Sequence, residues 1–363
     1  MSSPIPFLDG VLTADEVATT AATIVGMQEA DGAIPWTVGD KVDVWNHVEA
    51  AMALQVAGEV EASHRAYDWC LAMQRPDGTW PIKVVEGVVA DDGAETNMSA
   101  YLAVGVWHHW LIREDLGFVR RMWPAVLSSL DWVVSMQLPW GGIAWRRRED
   151  GVVDAEALLT GSSSTYHALK AGLAVAELME SPQPEWEIAA SRLRHAIRRH
   201  RDLFLDKSTF SMDWYYPVLG GAVRGAEAEE MIAAKWDNFV RPGLGIVCVD
   251  TNPWVTGAET CELAMALDAM GDHARARALV QDMQHLRHEN GSYWTGWVYD
   301  NEVYWPHEQT TYTAAAVILA VDALGRVTPG SDIMRGATLP ADFAPMALRC
   351  GCEPAAERLG QPV

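Results

Sequence analysis

Three stretches of the chain mix carboxylates with tryptophan or tyrosine, and each adjoins an apolar run. The first is Asp40-Lys-Val-Asp43-Val-Trp45-Asn46-His47-Val-Glu49. The second runs from Asp250 through Trp254, Thr256 and Glu259 to Glu262. The third spans Trp294 to Tyr312 and holds Trp297, Tyr299, Trp305 and Glu308. Paired carboxyls are the equipment of glycoside hydrolysis: one protonates the leaving oxygen and the other activates water, with roughly 6.5–9.5 Å between them when the configuration inverts. Flat aromatic faces with a polar edge suit stacking on sugar rings.

The pair read from these clusters is Asp43 and Glu262, with Glu259, Glu308 and Glu49 as further candidates. Which is acid and which is base stays open; the more desolvated carboxyl should be the acid. Trp36, Trp45, Trp254, Trp297, Tyr299 and Trp305 are expected to stack on sugar. Asn46, His47 and Asp250 are expected to bind hydroxyls, as is Glu49 if it is not catalytic. Structural roles compete with each assignment. Asp43 or Asn46 can cap a helix, Thr256 and Glu259 have capping-box spacing, and the third cluster's aromatics can plug a fold. Asp91-Asp92-Gly-Ala-Glu95 could supply a carboxylate or only a cap. Gly161-Ser-Ser-Ser164-Thr-Tyr166-His167 reads as an N-cap cluster. Trp107-His108-His109 does not make a metal pair, because adjacent helical residues point about 100° apart. No metal or cofactor is expected; Walker and Rossmann signatures are absent from the sequence.

The elements that hold these clusters repeat. Met27-Gln28 with Gly32 and Trp36 recurs as Met73-Gln74 with Gly78 and Trp80, then as Met136-Gln137 with Gly141 and Trp145. A looser copy is Met283-Gln284 with Gly291 and Trp294. Self-similarity at this spacing implies a repeated supersecondary unit. Amphipathic helices are expected over Thr13–Gln28, Glu59–Gln74, Glu114–Gln137, Trp186–His200 and Asp272–Gln284. Helices apolar nearly all round, hence buried, are expected over His47–Ala57, Asn97–Trp110, Ser163–Met179, Ala258–Met270 and Gln309–Leu324. A sixth lies near Trp214–Ala222, weakened by Gly220 and Gly221. Strand patterns are nearly absent, with Gly245–Val249 the best. Six outer–inner pairs that close make an all-α (α/α)6 toroid over residues 1–325, with an open α-solenoid as the alternative. Residues 326–363 read as an irregular C-terminal extension.

Composition narrows the function. The net charge is −22, from 49 acidic against 27 basic residues. Such a surface repels phosphate backbones and anionic lipid, so neither nucleic acid nor a membrane is expected as a partner. No secretory signal is read at the start and no run is long enough to span a bilayer. Five scattered cysteines fit a reduced, cytoplasmic chain, and Cys350-Gly-Cys352 is too tight for the usual zinc spacing. Seventeen tryptophans against six phenylalanines point to sugar stacking or to a terpenoid pocket. The oligomeric state is not readable.

Two resemblances follow from these residues. Gln74-Arg-Pro-Asp77-Gly78-Thr-Trp80 resembles the QW repeat of squalene and oxidosqualene cyclases and their prenyltransferase relatives. That resemblance implies a proton donor at Asp91 or Asp92 and cation–π stabilisation by tryptophan. The cyclase Asp-x-Asp-Asp motif is missing. The entry Asp43-Val-Trp45 and the pair Glu308-Gln309 resemble the (α/α)6 glycoside hydrolases, although Asn46 stands where glucoamylase-like enzymes often carry Glu. Over its whole length the chain is similar to a small actinobacterial group, the methylmannose polysaccharide hydrolases. Membership implies an endo-α-1,4-mannosidase acting on a cytoplasmic, partly O-methylated mannan. An inverting, metal-independent two-carboxylate route is the mechanism expected from the residues, with retention the alternative, since the outcome turns on the carboxyl separation. A non-catalytic carbohydrate-binding protein is the third reading.

Overall fold

The structure is a computed structural model, and it describes residues 4–341. In chain order its elements are α1 (Ala14–Met27), β1 (Lys41–Val42), α2 (Val44–Val56), α3 (Val60–Met73), β2 (Lys83–Val85), β3 (Val88–Asp91), β4 (Ala94–Glu95), α4 (Thr96–Ala100) and α5 (Leu102–Arg113). Then come α6 (Leu116–Ser135), β5 (Arg146–Arg147), β6 (Val153–Asp154), α7 (Leu159–Leu178), α8 (Pro184–Arg199), α9 (Ser211–Leu219), α10 (Ala226–Ala234) and α11 (Trp236–Phe239). The last are β7 (Val240–Arg241), β8 (Gly245–Val247), β9 (Trp254–Thr256), α12 (Gly257–Ala269), α13 (His273–Asp282), β10 (Gly296–Val298), β11 (Val303–Tyr304) and α14 (Thr311–Gly325).

The helices form two layers. In α2 every residue but Trp45 is buried, and α7, α9, α12 and α14 are buried almost as fully. These inner helices, with the α4–α5 pair broken at Tyr101, contact one another in the order α2, α4–α5, α7, α9, α12, α14, and α14 packs back on α2. The outer helices α1, α3, α6, α8, α10 and α13 alternate with them along the chain and each packs on at least one inner helix.

The repeated Met-Gln segment binds consecutive outer helices together. The Gln28 side-chain amide donates to Gly32 O at 3.0 Å and to Ala62 O of α3 at 2.9 Å. Gln74 does the same to Gly78 O at 3.1 Å and Ala125 O of α6 at 2.9 Å. Gln137 repeats it with Gly141 O at 3.1 Å and Ala189 O of α8 at 3.0 Å. The turn glycine touches the next helix as well. A Cβ on Gly78, whose φ is +86°, would lie 2.3 Å from Ser128 O of α6. One on Gly291, φ +91°, would lie 2.7 Å from the Thr19 side chain of α1. The last repeat therefore abuts the first helix. The Trp80 indole donates to Cys70 O at 2.8 Å inside the core, so the Gln–Trp motif is structural here.

Three differences from the sequence reading have physical causes. The eleven strands form three small antiparallel sheets, with orders β1-β2-β3, β4-β5-β6 and β11-β10-β9-β8-β7. Strands of two to four residues are too short to show an alternation. The outer helix α10 was not among the amphipathic runs expected, because its nine residues Ala-Glu-Ala-Glu-Glu-Met-Ile-Ala-Ala give only a narrow apolar stripe. The Ser162–Ser164 cluster is not a cap: α7 starts earlier, at Leu159, and these serines lie buried inside it. The sixth inner helix does form, and it stops at Gly220.

His108 and His109 diverge: His109 stacks on Phe118 at 3.6 Å, whereas His108 packs beneath Gly330. Among the described residues no cluster of metal-ligating side chains occurs, Cys70, Cys248 and Cys261 are free thiols, and no helix is long and apolar enough to cross a membrane. After α14 a 3-10 turn, Pro329–Asp332, packs on α5 and α14. Cys350, Cys352 and the rest of the extension beyond Ala341 lie outside the described residues.

Candidate active site

The N-terminal ends of the inner helices are joined to one another in ring order. Thr311 N–H of α14 donates to Trp36 O at 2.9 Å, just ahead of α2. Thr96 N–H of α4 donates to Trp145 O, ahead of α7, at 3.0 Å. Asp213 of α9 accepts from Thr160 N–H of α7 at 3.1 Å. Ser211 N–H of α9 reaches Cys248 O at 2.9 Å, and Gly257 N–H of α12 reaches Thr295 O, ahead of α14, at 3.1 Å. The strands β1 and β2 pair between the α2 and α4 entrances. All three acidic clusters therefore meet at one mouth.

Asp43 is the N-cap of α2. Its carboxylate accepts the Asn46 N–H at 3.0 Å, the Asn46 side-chain amide at 2.8 Å and the Trp36 indole at 2.7 Å. Capping is thus real, and it organises two further candidates around one carboxylate. Glu95 is the N-cap residue of α4 but makes no side-chain cap bond. Burial, and then the negative charge of Asp43, push its carboxyl up to about 7, against the opposing pull of Arg146. Glu259 lies in the first turn of α12. The capping box suggested by its spacing from Thr256 is not formed: Thr256 makes no side-chain cap bond. Glu259 is half-buried at the mouth, beside Cys248.

One turn deeper lies a floor of carboxyls and phenols. Glu49, Tyr101, Tyr216 and Glu262 each stand six residues after the cap residue of their helix, Asp43, Glu95, Phe210 and Thr256. The Tyr101 hydroxyl donates to Glu49 at 2.9 Å. Tyr216 donates to Glu262 at 2.6 Å, Tyr312 at 3.2 Å, and Tyr215 also bonds its second oxygen. Trp45 packs on Tyr101 and Tyr216, with centroids 5.7 and 5.9 Å away. Desolvation raises the Glu49 carboxyl to about 7 and drives the Glu262 carboxyl well above the usual range, each helped by a neighbouring negative charge. Both are 4% exposed or less; Asp43, at 1%, is as buried as this layer, and Glu95 and Glu259 are the half-buried carboxyls above it.

The third cluster builds one wall. Trp254 on β9, Trp297 on β10 and Tyr304 on β11 are carried by the five-stranded sheet, where Trp297 pairs in register with both Val255 and Tyr304. Trp254 donates its indole N–H to Trp305 O at 2.6 Å, and the two rings meet edge to face at 5.0 Å. Trp305 is 55% exposed. Tyr299 receives an Arg241 hydrogen bond at 3.3 Å. Glu308 and Asp250 are half-buried in loops at the same mouth, and Asp250 keeps one buried oxygen without a partner.

Two expected contacts are otherwise engaged. His47 faces α3: its ring accepts Ile34 N–H at 3.0 Å and bonds Ala66 O at 2.8 Å, so neither nitrogen is left for a hydroxyl. Burial lowers its pKa to about 4. The ring of Trp36 carries the Lys41 ammonium 3.9 Å from its centroid, which covers one face. Asp92, one of the two cyclase-like donors, is on the surface in an ion pair with Arg75 at 2.6 Å. Tyr101 and Tyr216 are the residues least visible in sequence. The register that aligns Glu49 with Glu262 finds both tyrosines once it is extended to the other inner helices.

The fold is shared with solved structures that are distant in sequence. A wild-type glycosidase superposes with a TM-score of 0.67 at 14% identity, covering 87% of this chain and 97% of its own. A GH63 mannosylglycerate hydrolase from Thermus thermophilus gives 0.62 at 13% identity, covering 84% and 99%. A D-mannose isomerase gives 0.66 at 11% identity over 85% and 96%, so the fold also serves other sugar chemistry. No protein-family model matches the chain. The sequence is 54% identical, over 93% of both chains, to the MMP endo-(1,4)-3-O-methyl-alpha-D-mannosidase of Mycolicibacterium hassiacum. The chain belongs to that endo-α-mannosidase family and is a glycoside hydrolase.

Proposed function

We propose that this enzyme cleaves internal α-1,4 linkages of a 3-O-methylated mannan with inversion of configuration. The relative's substrate and the tryptophan wall support the glycan class, since O-methyl groups add apolar area for stacking. We read the helix layers as a closed (α/α)6 toroid over residues 1–325, with residues 326–363 as an extension. The ring order of inner contacts and the Gly291–Thr19 approach support closure. A cytoplasmic setting fits the free thiols.

The observation that carries the mechanism is the placement of two kinds of mouth carboxyl on separated helices: in the ring order α12 stands three places from α4 and two from α2. On the α2–α4 side, Glu95 retains its proton near neutral pH beside the Asp43 carboxylate, and this side protonates the leaving oxygen. On α12, Glu259 is free of capping and activates water on the opposite face. Carboxyls on such distant helices leave room for that water. This modifies the expected pair: Asp43 stays, Glu259 replaces Glu262, and Glu262 and Glu49 support the floor. Glu308 and Asp250 bind hydroxyls beside the base. Asn46 orients Asp43. The test is kinetic. Asp43→Asn and Glu259→Gln should each lower kcat by about 10²–10⁴-fold while the fold persists. Full activity in Glu259→Gln, with loss in Glu262→Gln, would return the base to Glu262.

A further inference from the structure

The large apolar side chains that the protein leaves exposed are not scattered. Among the described residues, all but Phe7 lie in segments that carry the chain from an outer helix into an inner one, on the face that holds the mouth. Two of these segments repeat a short sequence. Glu86-Gly-Val-Val89 turns from β2 into β3, and Asp150-Gly-Val-Val153 turns from β5 into β6. Gly87 and Gly151 both have positive φ, +74° and +82°, so the two turns share their chemistry. Val88 is 67% exposed and Val152 48%, and Val89 and Val153 are exposed beside them. Strands β3 and β6 are the edges of their sheets. Edge strands are ordinarily guarded by charge or proline, whereas these two offer valine methyls to solvent.

A cleft of about 430 Å³ lies between the two hairpins, lined by Ile82, Asp91, Arg146, Arg148, Glu149 and Asp150. Its size is that of a small-ligand site. Its walls are tied together. Glu149 accepts the Asp92 N–H at 2.9 Å, and Asp154 holds Arg146 and Arg148, each at 2.7 Å. Arg146 pairs in register with Glu95 across β5 and β4. The cleft therefore opens beside the carboxyl assigned to protonate the leaving oxygen.

We infer that these hairpins and their cleft form an outer subsite for O-methylated sugar residues, and that the part of the glycan released as leaving group lies there. The inference rests on the substrate and on the acid side proposed above. Valine methyls exposed to water gain by covering the methyl of an ether. The turn carboxylates Glu86 and Asp150, which only accept hydrogen bonds, suit the hydroxyls that remain free. A 3-O-methylated mannan presents both groups at every residue. A second copy of this chain, with net charge −22, would be repelled by the same acidic turns. A protein strand added at either edge would find only two to four residues to pair with. The neutral glycan meets neither obstacle, and the subsite is continuous with the cup it leaves.

The experiment is calorimetric binding of thio-linked α-1,4-mannan oligosaccharides, which resist hydrolysis, in 3-O-methylated and plain forms of equal length. Moving one methyl group out of water is worth about fourfold in affinity, so the wild-type enzyme should favour the methylated form by more than that. The combined variant V88T/V89T/V152T/V153T keeps β-branching at each position and should lower the preference about fourfold or more. Hydrogen exchange of wild type locates the site without a variant: the methylated form should protect residues 83–91 and 146–154. A preference retained in full by the folded variant, or protection in neither segment, would overturn the inference and leave the substrate standing. Self-association lost in that same variant would give the surface to a second copy instead. Equal binding of both forms by wild type would overturn the substrate reading and this inference with it.

Discussion

The floor of the cup makes a pH prediction whose sign and size come from one residue. Glu49 is buried, accepts one phenol hydrogen bond, and has its carboxyl raised from 4.5 to about 7. Between those values the folded protein keeps the Glu49 proton and the unfolded chain releases it. Stability contributed by this group is therefore fully present below about pH 4.5 and is lost as pH rises through about 7. At about 1.4 kcal/mol per pH unit, the loss totals about 3 kcal/mol. The substitution Glu49→Gln keeps the shape and the acceptor oxygen for Tyr101 but cannot ionise. Chemical denaturation of wild type and variant at steps between pH 4.5 and 8 reads the effect of this group together with its neighbour Glu262, whose carboxyl the Glu49 charge also raises. The variant should gain on wild type by about 3 kcal/mol across that range, then run parallel. A difference that does not change with pH would refute the neutral-floor reading, and a difference of opposite slope would show Glu49 to be ionised and paired.

Other consequences follow from single contacts. Glu262→Leu would leave three buried phenols without their acceptor and should cost several times the roughly 1–3 kcal/mol of one unsatisfied group, read by denaturant midpoint, whereas Glu262→Gln should cost far less. Gln74→Ala removes the bond from the second repeat to α6 and should lower stability by about 1–3 kcal/mol without changing kcat. Trp305, exposed on the aromatic wall, should act on long glycans. Trp305→Ala should raise KM for a long methylated mannan several-fold and leave the shortest cleavable oligosaccharide unaffected, as measured by initial rates.

Much of the fold is legible because its units recur. The Met-Gln…Gly repeats mark the bonds from one outer helix to the next, and their function as staples explains a likeness to cyclases that carries no cyclase chemistry. The inner helices announce themselves by being apolar all round, whereas the expected sixth, near Trp214–Ala222, ends earlier, at Gly220. The mouth strands are illegible because pairing over two or three residues is decided by the loops that tertiary packing brings together. The site divides in the same way. Asp43, Glu259 and the tryptophans are visible as clusters near helix starts. That His47 turns outward to α3 depends on helix rotation, which an apolar-all-round sequence does not encode. The same limit applies around Glu262: depth along a helix is readable, but the three tyrosines that close over Glu262 come from α9 and α14.

The most direct measurement is NMR of the anomeric protons during hydrolysis of a 3-O-methylated α-1,4-mannan by the purified enzyme, with product masses followed in parallel. Internal cleavage with the β-anomer appearing first is the expected result, and Glu259→Gln should show neither product. An α-anomer appearing first would contradict the arrangement of carboxyls on opposed helices. Intact substrate after prolonged incubation with wild type would contradict the assigned glycan itself.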